Sequence, residues 1–145
     1  EKLVIASESS ILCPSNFSQL SISSYLSDQP WRDQIAAFTK LYKVRRDAML
    51  ETLEKHFPKE ATWTKPGGGF YVWVTLPPEI DTKAMMPKAI VSKVAYVPGT
   101  AFYADGLGSW SMRLSYCYPT PERIREGVKS LGAVIANEMA LRGLN

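Results

Sequence analysis

Apolar residues recur along this 145-residue chain in two rhythms, one of period near 3.6 and one of period two. Trp31, Ile35, Phe38, Tyr42, Met49, Leu53 and Phe57 succeed each other at spacings of three and four, with one gap near Arg45. That spacing predicts one long amphipathic helix over 30–57. Pro30 opens it and Pro58 ends it, because proline suits a helix start and cannot continue the ladder. Glu51 and Lys55 form an i, i+4 pair on its outer face. Ile124, Val128, Leu131, Ile135 and Met139 predict a second amphipathic helix, with Thr120 as cap and Pro121 in the first helical position. The period-two rhythm runs over 70–76, where aromatic and β-branched residues alternate until Pro77 and Pro78 close the segment. Further strands are expected over 110–116, over 94–97 with Pro98 and Gly99 as the stop, and briefly over 61–64.

The connecting segments carry their own signals. Gly67, Gly68 and Gly69 after Pro66 read as a turn with unusual backbone freedom. Asp81 is expected to cap a short helix carrying Met85, Ala89 and Ile90, with Pro87 outside its regular interior. Asn16 with Gln19 resembles a capping box before a helix bearing Leu20, Tyr25 and Leu26. Residues 1–10 read as the end of a helix, and the absence of an initiator Met suggests a piece of a longer chain. The order of helix, strands, helix, strands, helix predicts an α+β fold: a small, mostly antiparallel sheet with helices packed on one face.

Composition narrows the function classes. With 46% hydrophobic and 21% charged residues the chain has material for one core, which excludes disorder as its main state. Lys and Arg number 17 against 14 Asp and Glu, a net +3 spread along the sequence, so no nucleic-acid partner is expected through this segment. The strongest apolar stretch, 70–76, is too short to cross a bilayer and the N-terminus shows no signal-peptide pattern, so a soluble cytoplasmic protein without a membrane partner is expected. Cys13 and Cys117, without CxxC spacing or clustered histidines, give neither a disulfide framework nor a metal site.

From spacing alone no catalytic residue stands out. His56, the single histidine, complements the carbonyl end of the long helix. Residues 67–69 precede a strand rather than a helix and lack the lysine and hydroxyl of a phosphate loop, so a turn is the better account. Arg113 is the informative residue. It sits within the apolar strand pattern of Trp110, Met112 and Leu114, where an unpaired guanidinium is expensive to bury. Its planar fork suits a carboxylate, either an internal Asp or Glu or one belonging to a ligand. Phe70, Tyr71, Trp73, Phe102 and Tyr103 are aromatic residues available to line a pocket near it or to fill the core.

Four ordered motifs then carry a resemblance: Pro66-Gly67-Gly68-Gly69-Phe70-Tyr71-Val72-Trp73, Val97-Pro98-Gly99-Thr100-Ala101-Phe102, Met112-Arg113-Leu114-Ser115-Tyr116, and Glu122 through Gly127 with Leu131. Together with the segment from Leu12 to Leu20 they resemble the C-terminal part of class I/II, fold type I, pyridoxal phosphate-dependent aminotransferases. The resemblance is to the branch of aminoadipate and kynurenine aminotransferases and MocR-type regulators. It implies that Arg113 holds the α-carboxylate of an amino acid or 2-oxo acid. It also implies that Gly68, Gly69, Phe70 and Phe102 line the cleft, and that Asn16 lies in a region near the partner's active site in a homodimer. Residues 1–29 would be the tail of the large cofactor domain and an interdomain segment, and 30–145 the small C-terminal domain.

The family's Schiff-base lysine stands in a Ser-rich motif, and no lysine of this chain stands in such a motif. No catalytic and no cofactor-binding residue is therefore assigned here. Pyridoxal 5'-phosphate is expected in the full-length parent, and this segment alone is expected to bind none and to be inactive. The resemblance also implies a rival, the ligand-sensing domain of a MocR-type transcriptional regulator. A stand-alone interaction module is a third reading.

Overall fold

In the computed structural model, which describes residues 1–144, four strands pair antiparallel into one sheet. They are β1 (Thr62–Trp63), β2 (Tyr71–Thr75), β3 (Val97–Pro98) and β4 (Ser111–Ser115), in the spatial order β1-β2-β4-β3. The register sets Val72 opposite Leu114, Trp73 opposite Arg113 and Val74 opposite Met112, with Val97 opposite Arg113 on the other side of β4. Strand side chains alternate between faces. Val72, Val74, Met112 and Leu114 are buried on one face, while Tyr71, Trp73 and Arg113 share the other.

Helices supply the second layer of the core. The chain forms α1 (Lys2–Ile11), α2 (Asn16–Asp28), α3 (Trp31–His56), α4 (Thr82–Val91) and α5 (Pro121–Leu141). Ala48, Met49 and Leu53 of α3, Met85 and Ala89 of α4, and Ile124, Val128, Leu131, Ile135 and Met139 of α5 join the sheet residues in one buried cluster. Each of the larger aliphatic side chains contributes roughly 1.5 to 3 kcal/mol when fully buried. Gly132 lets α5 come close to the end of α3: a Cβ there would lie 2.4 Å from the His56 carbonyl oxygen. Glu138, buried on α5, is ion-paired to Lys88 of α4 and to Arg142, so the polar group inside the helical layer is matched.

The fold is thus the expected α+β arrangement, and several local expectations are corrected. Pro98 lies inside β3 instead of stopping it, which the sheet tolerates because β3 is an edge strand. Residues 94–96 do not pair as a strand; Tyr96 is buried and its hydroxyl donates to the Thr82 carbonyl at 2.6 Å, which draws the segment against α4. Pro87 lies within α4, costing that helix the bond to the Lys83 carbonyl. Asp81 does cap α4, its carboxylate accepting from the amides of Lys83 and Ala84. Ile90 of the same helix is exposed rather than core. The cap of α2 is Ser15, which accepts from the Ser18 amide at 3.4 Å, so Asn16 is already helical. Gln19 donates to the Pro14 carbonyl instead of closing a capping box.

The chain divides into two units, Glu1–Phe38 and Thr39–Asn145. The second holds the sheet and the whole buried cluster. The first contains α1, α2 and the opening turns of α3, and no residue in it is buried. Leu3, Leu12 and Phe17 are 86%, 82% and 80% exposed. The apolar side chains of α1 and α2 are thus left at the surface.

Candidate functional site

Arg113 emerges on the sheet face that the helices leave open. The alternation that buries Met112 and Leu114 turns Arg113 the other way, beside Trp73 on β2 and Val97 on β3. Its guanidinium carbon stands 4.0 Å from the ring centre of Tyr71 and 4.7 Å from that of Phe102. Two ring faces at these distances attract the cation and restrict its plane. Among the described residues no Asp or Glu forms an ion pair with it. The internal-partner reading of Arg113 therefore has no carboxylate to support it, and the half-buried cation is flanked by rings instead.

The ring partners are placed by identifiable local features. Tyr71 precedes Trp73 by two positions and so shares its face of β2. Phe102 comes directly after a 3-10 turn, Gly99–Ala101, and its amide donates to the Gly99 carbonyl at 2.8 Å. Gly99 is needed there, since a Cβ would fall 2.3 Å from the Gly108 carbonyl oxygen and 2.9 Å from Ser111. Gly108, at φ +77, lies under the Tyr103 ring, where a side chain would collide at 2.4 Å. Trp73 meets Phe102 edge to face at 5.3 Å, and the Tyr103 ring lies tilted to it at 6.2 Å. Tyr71 and Phe102 thus flank Arg113 on the open face, with Trp73 opposite it across the strand pair and Tyr103 packed on Trp73, rather than filling the core.

Of the other residues expected at a cleft, Phe70 is 43% exposed, with its ring 6.4 Å from Tyr71 and 4.9 Å from Tyr42. Gly68 and Gly69 lie in the exposed turn before β2, Gly69 at φ +82. Asn16 is an exposed first-turn residue of α2 in the other unit. His56 is exposed at the end of α3, where its carbonyl faces Gly132. Two residues escape a reading of the sequence. Arg46 donates to the carbonyls of Pro66 and Gly67, and Tyr116 donates to that of Gly68. The one available signal is the pair Arg45-Arg46 interrupting the apolar stripe of α3.

The arrangement can bind an anion by a two-point contact, but the residues around Arg113 offer no nucleophile or base activated for a bound molecule. All ten lysines are exposed. A lysine that condenses with an aldehyde at neutral pH is activated by desolvation or a neighbouring cation. The residues present do not fit a site for the aldehyde of pyridoxal phosphate. Among the described residues, none form a group of three or more His, Cys, Asp or Glu able to hold a metal ion, and no helix is long and apolar enough to cross a membrane.

Comparison with known proteins agrees with this picture. Aromatic-amino-acid aminotransferase 1 of Thermococcus litoralis is 46% identical over 138 residues, covering 95% of this chain and 33% of that protein. The solved structure of Pyrococcus horikoshii kynurenine aminotransferase, in complex with PMP, superposes with a TM-score of 0.85 at 44% identity, covering 95% of this chain and 34% of that one. An uncharacterised HTH-type transcriptional regulator of Bacillus subtilis, YdfD, is 34% identical over 88% of the chain and 26% of its own length. The chain therefore spans about a third or less of the proteins it resembles. Residues 2–131 match the family described as Aminotransferase class I and II, and with a match over nearly the whole chain, this protein belongs to the class I and II aminotransferase family.

Proposed function

We propose that the Arg113 face binds the α-carboxylate of an amino acid or 2-oxo acid, and that the full-length protein carries out pyridoxal phosphate-dependent amino transfer. The observation that carries this reading is a half-buried guanidinium held between Tyr71 and Phe102 on an open sheet face, without an acidic partner among the described residues. Arginine offers five donors in a fixed fork that matches a carboxylate bidentately. Fixing a carboxylate at two points sets the orientation of the attached Cα, and orientation at the reacting carbon is a large share of what an enzyme supplies. The cofactor, held by residues beyond this segment, would supply the electron sink.

In this reading Phe70, Phe102, Gly68 and Gly69 border the bound acid, and Asn16 serves the neighbouring subunit of a homodimer. Residues 1–29 are the tail of the cofactor domain with an interdomain segment, and 30–145 are the small domain of a cytoplasmic enzyme. The segment alone is inactive. The regulator reading is supported by the HTH-type relative, but the aminotransferase relative is the more similar, at 46% against 34% identity. A winged helix-turn-helix encoded ahead of the cofactor domain would reverse the preference.

Steady-state kinetics of the full-length protein test the assignment. Arg113→Ala should lower kcat/KM by on the order of 2 to 5 kcal/mol in transition-state terms, with cofactor affinity retained. Arg113→Lys should recover part of the loss, because an ammonium cannot reproduce the fork. Unchanged constants in the alanine variant would reduce Arg113 to a structural cation.

A further inference from the structure

The turn at 66–68 is tied down more firmly than an exposed glycine turn requires. Its three successive carbonyls all accept hydrogen bonds from side chains far away in sequence. One guanidinium nitrogen of Arg46, on α3, donates to the Pro66 and Gly67 carbonyls, each at 3.3 Å. Tyr116, fully buried just beyond β4, donates its hydroxyl to the Gly68 carbonyl at 3.1 Å. The rest of the Arg46 fork is committed to Asp47, at 2.9 and 2.6 Å. Burial pushes the Tyr116 hydroxyl above its usual range while the nearby Arg46 charge pulls it back, so the hydroxyl stays a donor at neutral pH and both groups share one locale.

Packing does not account for these ties. A Cβ on Gly67 or Gly68 would meet nothing within 4 Å. Such a glycine pair carries the largest entropic cost of ordering. The ties act instead on the next residues of the chain. Phe70 accepts at its carbonyl from the Tyr116 amide at 3.0 Å, and Tyr71, beside it, places its ring 4.0 Å from the Arg113 guanidinium. Tyr116 follows Arg113, the middle residue of β4, by three positions and lies one residue past the end of that strand, so the anchor and the cation are carried by one short stretch of chain.

We propose that Arg46 and Tyr116 are positioning residues of the carboxylate site, which hold the turn 66–68 so that Tyr71 keeps the Arg113 guanidinium in its binding orientation. This rests on the carboxylate reading of Arg113. Neither residue touches the ligand; each acts through the turn and the Tyr71 ring.

The test uses the full-length holoenzyme and 3-phenylpropionate, a carboxylate with neither amino nor oxo group to react. Tyr116→Phe keeps the buried ring and removes only the hydroxyl; Arg46→Ala removes the other tie. Each should weaken 3-phenylpropionate binding about three- to tenfold by calorimetry, the effect of losing one or two hydrogen bonds that order a site. Each should raise KM for the amino donor by a similar factor with kcat little changed, and should speed amide exchange over 67–71. Arg46→Lys should restore part of both effects. Faster exchange with unchanged binding would overturn the proposal, as would weakened binding without faster exchange. Arg113→Ala, measured in parallel, separates the two levels. If it still binds 3-phenylpropionate, the carboxylate reading fails and the inference with it. If it loses binding while the other variants keep it, only the inference fails.

Discussion

The two units of the chain use the same kinds of residue with opposite results. Glu1–Phe38 contains Leu3, Ile5, Ile11, Phe17, Leu20 and Ile22 on helices, and none of these is buried. Thr39–Asn145 places Leu53, Leu131 and Ile135 on helices, and each is at most 1% exposed. The difference is a second layer. In the latter unit β2 and β4, distant in sequence but joined in a fixed register, offer Val72, Val74, Met112 and Leu114 as a surface for the helices. In the former there are only helices of 10 and 13 residues and the start of a third, and helices of that length are marginal without a surface to pack on. An apolar stripe announces that a face is to be buried; it does not supply what buries it.

The largest expected contrast is between equivalent truncations. Leu53→Ala should cost about 2 to 5 kcal/mol in urea denaturation, because it opens a cavity in a closed core. Leu20→Ala, at a position 70% exposed, should stay within about 0.5 kcal/mol. Equal losses would mean that the first unit is covered in solution and would break the contrast.

A finer version stays within α5. Gly132→Ala should destabilise by about 1 to 3 kcal/mol, since the new Cβ must displace backbone at His56. Gly127→Ala, where a Cβ meets nothing within 4 Å, should raise stability by up to about 1 kcal/mol through helix propensity. Thermal melts of the two variants check the sign of each change, and a neutral Gly132→Ala would show that the helices can separate freely.

The smallest effect concerns acid. The hydrogen bond from Lys88, with Arg142 beside it, holds the Glu138 carboxyl below its ordinary value of 4.5. A folded-state value below the unfolded one means that the unfolded chain binds more protons in acid. The contribution of Glu138 is therefore complete above about pH 4.5 and is lost as pH falls through its depressed value. Glu138→Gln should flatten the stability profile below that pH, with little change in shape above it. An unchanged acid limb in denaturation titrations would remove Glu138 from the account.

How much of the fold can be read in the sequence depends on how local each signal is. The long helix, α5, β2 and β4 announce themselves by periodicity, and Thr120 and Asp81 by cap chemistry within a turn. Even the placement of Arg113 on the open face is implicit in its alternation with Met112 and Leu114. The anchors of the glycine turn are not legible, because Arg46 reaches Pro66 across 20 residues and Tyr116 reaches Gly68 across 48. A carbonyl's partner at that separation is not specified by either local pattern, and the Arg45-Arg46 break in the apolar stripe of α3 does not say what it reaches. Pro98 and Pro87 mislead for a related reason: whether a missing amide matters depends on which neighbour needed it, and β3 has no strand on its outer side among the described residues.

That outer side has a further consequence. Both margins of the sheet, β1 and β3, are only two residues long, and β3 contains a proline that has no amide to offer. A margin of this kind gives another chain almost no ladder to extend. However much apolar surface the first unit presents, association by strand-to-strand templating is disfavoured at both margins of the sheet.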